Sequence, residues 1–252
     1  MRLGNLIQLN DDNPPVGALA DRARELEDLG YDGLWVAQAV GRGRMLPDPL
    51  LTLAAAAVAT TRLRLGTAIL QIPHYPTAAL AHQVMTLRHL AGDRLVLGVG
   101  AGSTTDDFAV YEDEFATRFA RFETGLARLR RLLETGRDGD VDLTPWPGML
   151  GGPPLYFGTW GRNVARAATE FDGWIASAMK RTDEQAIEAL RRYRAAGGTN
   201  AIVSTIVLGP EDEPGRNRRR LEGFAEAGFD EAVVLLAPGG PTAAEVRRWV
   251  AS

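Results

Sequence analysis

Short apolar runs alternate with amphipathic stretches along the chain, and the alternation keeps its order from one end to the other. The apolar runs predict strands over Leu3–Leu9, Gly33–Ala37, Leu63–Leu70, Leu95–Val99, Leu155–Gly158, Asp172–Ala176, Ala201–Leu208 and Glu231–Leu236. Between them, apolar positions recur at helical spacing in Val16–Leu29, Leu50–Ala59, Thr77–Leu90, Arg118–Leu133, Glu213–Ala227 and Thr242–Val250. A further helix opens within Thr159–Asn163. Another starts at the capping-box-like Thr182-Asp183-Glu184-Gln185 and ends near Gly197. Strands with intervening helices make parallel, right-handed units. Eight strands with eight helices fit a closed α/β barrel, the TIM (β/α)8 architecture, as one compact domain over residues 1–252. Such a barrel gathers its chemistry at the carboxyl ends of the strands.

Two stretches break the alternation. Ser103–Phe115 is polar, acidic and aromatic, and reads as a substrate-side loop with at most a helical turn; its five acids contain no marked base. Gly136–Pro153 is long for a compact domain and predicts a lid, a β-ribbon or a mobile segment.

The segment from Thr60 to Ser103 carries a family resemblance. Its pattern R-L-G-T, then P-x-x-P, then T-L-x-x-L-x-G-x-R-x-x-L-G-V-G-A-G is similar to that of the luciferase-like monooxygenases. The segments G-Y-D-G-L-W-V-A and R-F-A-R-F-E-T-G-L-A-R-L-R-R-L extend the likeness over most of the chain. The resemblance implies a β/α barrel using reduced FMN or the deazaflavin coenzyme F420. It also implies a bulge with a non-proline cis peptide behind the cofactor ring, in the place held by Gly66-Thr67-Ala68. Thr67 and Ala68 are then the implied cofactor contacts there, and Gly102 and Ser103 are candidates because parallel sheets place ligands beyond the ends of their strands. Pro154, Gly158, Ala167, Ala168, Asp172 and Gly173 reproduce a second motif, where the family's cofactor phosphate lies.

That second place has physical support of its own. A helix opening just beyond a strand end offers unpaired N–H groups to an anion. Gly158, Thr159, Trp160, Gly161, Arg162 and Asn163 are therefore candidate cofactor-binding residues, Thr159 and Asn163 as side-chain donors and Arg162 as a full charge. The resemblance also implies an early arginine of the helix after the fourth strand facing the cofactor, which makes Arg118 and Arg121 weaker candidates.

Two residues are candidates for catalysis. The family often places an acid, sometimes followed by histidine, at the end of the second strand; here Gln38 and Ala39 stand there. Gln38 either hydrogen-bonds a flavin or substrate, or caps the strand end. His74 sits in the loop after the third strand, either as a proton donor near neutral pH or as an ordinary loop histidine. His82 and His89, on the following helix, are remote from the strand ends and assemble no metal triad.

Composition narrows the remaining classes. Net charge is −4, from 28 basic and 32 acidic residues, and the clusters Arg128–Arg131 and Arg216–Arg220 lie beside acids as solvated faces, so no nucleic-acid partner is expected. Without cysteine there is no disulfide, Cys–metal site or thiol nucleophile. No apolar run reaches the ~20 residues of a membrane span, and Met1-Arg2-Leu3-Gly4 opens no signal peptide, so a cytoplasmic protein is expected. The reading is an oxidoreductase acting on a small organic molecule, a homodimer through the Ala-rich Leu50–Ala59 helix, with a flavin reductase as possible supplier of reduced cofactor. A cofactor-storage protein is the alternative. A dinucleotide turn at Gly98-x-Gly100-x-Gly102 is a third reading, although its spacing is not G-x-G-x-x-G.

Overall fold

The computed structural model describes residues 1–9, 14–43, 45–210 and 215–250. The loop expected over 10–15, position 44 of the expected 41–49 loop, and the 209–213 junction expected to open a helix at Glu213 lie wholly or partly outside them.

Strands β1 (Arg2–Leu6), β2 (Gly33–Val36), β3 (Arg64–Thr67), β4 (Leu70–Gln71) and β5 (Leu95–Gly100) form the first half of the barrel. Strands β8 (Leu155–Gly158), β9 (Gly173–Ser177), β10 (Ala201–Leu208) and β11 (Glu231–Leu236) form the second. Every pairing among them is parallel, and the order β3-β2-β1-β11-β10-β9-β8-β5 closes on itself because β3 also pairs with β5. Around the ring pack α1 (Ala18–Asp28), α2 (Pro49–Ala59), α3 (Thr77–Ala91), α5 (Arg118–Thr135), α6 (Asn163–Glu170), α7 (Asp183–Ala195), α8 (Arg216–Ala227) and α9 (Ala243–Val250). Thr182 and Gln185 cap α7 reciprocally, as their spacing predicts.

Two apolar layers hold this arrangement. One lies between the strands and the helices; the other fills the barrel with Leu6, Trp35, Val96, Tyr156, Ile202 and Val233, among others. Trp35 closes the end where the strands begin. A Cβ at Gly66 would lie 2.3 Å from its ring, so glycine there makes room for the indole. Trp35 Nε1 donates to the fully buried Glu231 at 2.6 Å, and Arg64 and Arg2 pair with the same carboxylate.

Two expectations change in detail, and a third is met in one of its expected forms. The third strand, expected as one run over Leu63–Leu70, is split into β3 and β4. Pairing with β5 moves from Leu65↔Leu95 to Leu70↔Val99, so one extra residue is accommodated between them, and the Ala68–Ile69 peptide is cis. The bulge and cis bond expected around Gly66–Ala68 are thus present, with the bond one residue further on. Ser103–Phe115 contains a short helix, α4 (Thr105–Val110). Gly136–Pro153 holds an antiparallel ribbon, β6 (Arg137–Asp138) with β7 (Val141–Asp142), which Asp138 ties to Arg128 and Arg131 of α5. The dinucleotide reading is overturned. Gly98 and Gly100 are inside a barrel strand, and a Cβ at Gly98 would stand 2.0 Å from the Thr67 carbonyl oxygen, so that glycine serves close strand packing.

Candidate active site

A cavity of about 620 Å³ opens where the strands end, a size suited to a cofactor or small organic ligand. Ala68 and Ile69, the two residues of the bulge, line one wall. Glycines on the neighbouring strands seat Ile69: a Cβ at Gly158 would lie 2.3 Å, and at Gly100 2.8 Å, from its side chain. Phe122 of α5 and Phe157 of β8, stacked with ring centroids 5.3 Å apart, contribute further apolar surface.

The end of β8 supplies polar groups. Trp174 Nε1 donates to the Thr159 carbonyl at 2.8 Å and fixes that turn. The Thr159 hydroxyl and Asn163 amide make no hydrogen bond to the described residues, and both line the cavity. Arg181, from the loop after β9, lies 5.3 Å over the Trp160 ring. Arg181 and the chain's single lysine, Lys180, stand at the same rim.

On the opposite flank, a polar network joins three loops. Asp107 of α4 is fully buried and accepts four N–H groups: Val40 N at 3.0 Å, two from Arg42, and Gln71 Nε2 at 2.8 Å. Burial pushes its carboxyl up, but these donors and the Arg42 charge outweigh burial and hold it below the usual carboxylate value. Gln38 Oε1 accepts from Gln71 N at 2.6 Å, and its Nε2 donates to the Tyr75 hydroxyl at 3.0 Å and the Tyr111 hydroxyl at 3.3 Å. Gln38 borders the cavity with its amide already engaged. Gln71 Oε1 is buried without a hydrogen-bond partner among the described residues, beside Gly102, where a Cβ would come within 2.1 Å of it.

Of the residues expected at the site, Gln38, Ala68, Gly102, Ser103, Gly158, Thr159, Trp160 and Asn163 all line this one cavity. Four do not. The Thr67 hydroxyl turns away to donate to Gly98 O at 2.7 Å. Gly161 and Arg162 are on the exposed side of the turn. The His74 side chain is sealed between Tyr111 and Phe108, with Nδ1 2.6 Å from Asp113 Oδ2 and Nε2 without a hydrogen-bond partner among the described residues. Arg121 pairs with the same Asp113, so this histidine belongs to a packed polar cluster beside the cavity. Arg118 stacks on Phe115 and Phe119.

Reading the sequence missed Arg181, the Arg42–Asp107 pair and the hydroxyls of Ser177, Ser204 and Thr205, which all line the cavity. Ser-Thr inside the apolar run A-I-V-S-T-I-V-L was the available signal for the last two, the only polar pair in an otherwise apolar strand. Among the described residues no cluster of His, Asp or Glu could hold a metal, and no helix is long and apolar enough to cross a membrane.

Known proteins share sequence and fold with this chain. A 4-hydroxyprotoasukamycin monooxygenase of Streptomyces nodosus subsp. asukaensis is 35% identical over 125 residues, 49% of this chain and 33% of that protein. An F420-dependent glucose-6-phosphate dehydrogenase of Kineococcus radiotolerans is 30% identical over 210 residues, 76% of this chain. The chain spans 62% of that dehydrogenase, so both relatives are longer than the part matched. The monooxygenase RslO1 from Streptomyces bottropensis shares the fold with a TM-score of 0.78 at 20% identity, covering 100% of this chain and 98% of that one. The oxygenating constituent of 3,6-diketocamphane monooxygenase from Pseudomonas putida, solved with FMN, does so at 0.65 and 18% identity, covering 91% and 80%. The family model of the luciferase-like monooxygenases matches residues 4–210, and this chain belongs to that family.

Proposed function

We propose that the protein is an oxidoreductase that holds reduced FMN or coenzyme F420 in the cavity and acts there on a small organic molecule. The observation that carries this is one cavity with a smooth apolar wall at Ala68–Ile69 and uncommitted donors at Thr159 and Asn163. A flat heterocycle with a phosphorylated tail needs that pair of features, so the residues present fit such a group. Relatives named for F420 and a fold neighbour solved with FMN support both cofactors equally. When bound, the cofactor supplies the redox chemistry: reduced FMN activates oxygen, whereas the deazaflavin exchanges hydride without it.

The chain's own residues do the rest. Thr159 and Asn163 hold the phosphate by hydrogen bonds, with Arg181 as the nearby charge. Ala68 and Ile69 support the ring. Phe122 and Phe157 exclude water from it. The Asp107 network keeps the loops after β2, β3 and β5 in register around the opening. Incubating the purified protein with FMN and with F420 and measuring retained cofactor tests the proposal. Retention of neither would remove it.

A second reading has an observation in its favour. Gln38 is fully engaged, His74 is sealed away and Asp107 is held as an anion, so none of the three stands ready to move a proton. A carrier of the cofactor without catalysis fits that arrangement, and turnover with reduced cofactor distinguishes the two. The exposed Leu51 and Val58 of α2, one helix face with Ala54 and Ala55, suit a homodimer interface. Leu51→Glu should then convert a dimer to a monomer in light scattering. A reductase delivering reduced FMN is a further expected partner.

A further inference from the structure

The hydroxyls of Ser177, Ser204 and Thr205 form a row on the cavity wall that the reading above leaves without a task. Along β10, Ile202 points into the barrel and Val203 out of it, so Ser204 is the next inward position. Strict alternation would then turn Thr205 outward. It does not hold. Pairing with β11 runs Val203↔Ala232 and then Ile206↔Val234, so one extra residue is inserted into β10 at Ser204–Thr205. Thr205 has φ 57, a left-handed conformation that β-branched residues rarely adopt, and Ile206 returns to the outer layer. The bulge thereby adds a second hydroxyl to the cavity wall beside the first. Ser177, the register partner of Ser204 on β9, adds a third.

These groups are held but not used. Ser204 and Thr205 are 1% and 8% exposed, and their only mutual contact is 3.5 Å, at the limit of a hydrogen bond. Ser177 Oγ makes no hydrogen bond to the described residues. Buried hydroxyls are normally satisfied, so Ser204 and Thr205, facing a cavity with the half-buried Ser177 beside them, await a partner. Their place is informative as well. In the closed order, β10 is four strands from β3 in either direction, so the row stands directly across the barrel from Ala68–Ile69.

We infer that Ser177, Ser204 and Thr205 form the subsite that binds an oxygen function, a carbonyl or a hydroxyl, of an otherwise apolar substrate. This rests on the proposed cofactor placement for its purpose, since a ring on the Ala68–Ile69 wall leaves the substrate between ring and hydroxyls. The hydroxyls donate to a carbonyl oxygen, and each also accepts from a hydroxyl. Apolar residues such as Leu6, Val36 and Leu235 line the same cavity and take the remainder of the molecule.

The test compares 2-octanone with 2-methyl-1-octene, in which a methylidene replaces the carbonyl, by ligand-observed NMR with purified protein, without and with FMN. Desolvation alone favours the alkene, so a preference for the ketone reports hydrogen bonds made in the site. The wild type should bind the ketone about tenfold tighter. Ser204→Ala combined with the isosteric Thr205→Val should abolish or invert that ratio, while retained FMN or F420 stays within twofold. Should that pair fail to fold, Ser177→Ala carries the test, with about a threefold fall in the ratio expected. A wild type that does not prefer the ketone, or folded variants that keep the preference, overturns the assignment. Loss of cofactor retention by the wild type would instead count against the oxidoreductase reading, since the ketone preference is measured without cofactor too.

Discussion

Two glycines, Gly102 on the cavity wall and Gly161 on the exposed side of the turn after β8, make a matched experiment, because both have positive φ and they differ in what surrounds them. Gly161 has φ 66, and a Cβ there would meet nothing within 4 Å. Gly102 has φ 82, and its Cβ would lie 2.1 Å from Gln71 Oε1 and 2.8 Å from Phe108. An alanine in the left-handed region costs about 1–2 kcal/mol, partly offset because the unfolded chain is also restricted, so Gly161→Ala should cost about 1 kcal/mol. Gly102→Ala carries the same cost and must also displace Gln71. That side chain cannot swing without losing its bonds to Gln38 O at 3.1 Å and to the Asp107 carboxylate at 2.8 Å. A neutral and a charge-assisted hydrogen bond are worth about 1 and about 2 kcal/mol, which brings Gly102→Ala to about 4 kcal/mol. Urea unfolding of both variants measures the difference directly, about 3 kcal/mol expected, or about 6–12 °C in Tm for a domain of this size. Costs within 1 kcal/mol of one another would refute the claim that Gln71 is locked by its network.

Thr159→Ala and Asn163→Ala should each weaken cofactor binding about fivefold to thirtyfold, and Arg181→Ala should weaken it more than Arg162→Ala, which should change it less than about twofold; equilibrium titration decides. Burial lifts the Asp113 carboxyl, but hydrogen bonds from His74 and Arg121 outweigh it and hold it below the ordinary value. A carboxyl lowered in this way stabilises the fold above its unfolded pKa, near 4, and loses that contribution as pH falls through the folded value. Asp113→Asn should therefore be less stable than wild type at pH 7, with the gap in urea midpoint narrowing at pH 3. Trp35→Phe removes the donor to Glu231 at the closed end of the barrel and should cost about 3 kcal/mol, leaving cofactor affinity within about twofold.

The barrel was legible because its strands are buried on both faces and read as continuous apolar runs such as Leu95–Val99, separated by helices with plain periodicity. The turn after β8 was legible for the same reason, since position beyond a strand end is set by element order alone. Side-chain direction was not. Thr67 and Ala68 are adjacent, yet one bonds a neighbouring strand and the other faces the cavity, and a bulge of one residue decides which. Thr205 enters the cavity through a second bulge that no periodicity announces. His74 occupies the expected loop, but the fold of α4 and its flanking residues over it, through Tyr111, Phe108 and Asp113, depends on contacts distant in sequence. Arg181 likewise comes to Trp160 from another loop.

The end of β8 gripping a phosphate is the feature on which cofactor binding depends. Titrating the protein with FMN against riboflavin, and with F420 against its tail-less deazaflavin chromophore, isolates that group. Whichever ring is held, the phosphorylated form should bind at least about tenfold tighter, and Thr159→Ala with Asn163→Ala should erase most of the gap. Equal affinity with and without the phosphate, or a gap untouched by those substitutions, would contradict it.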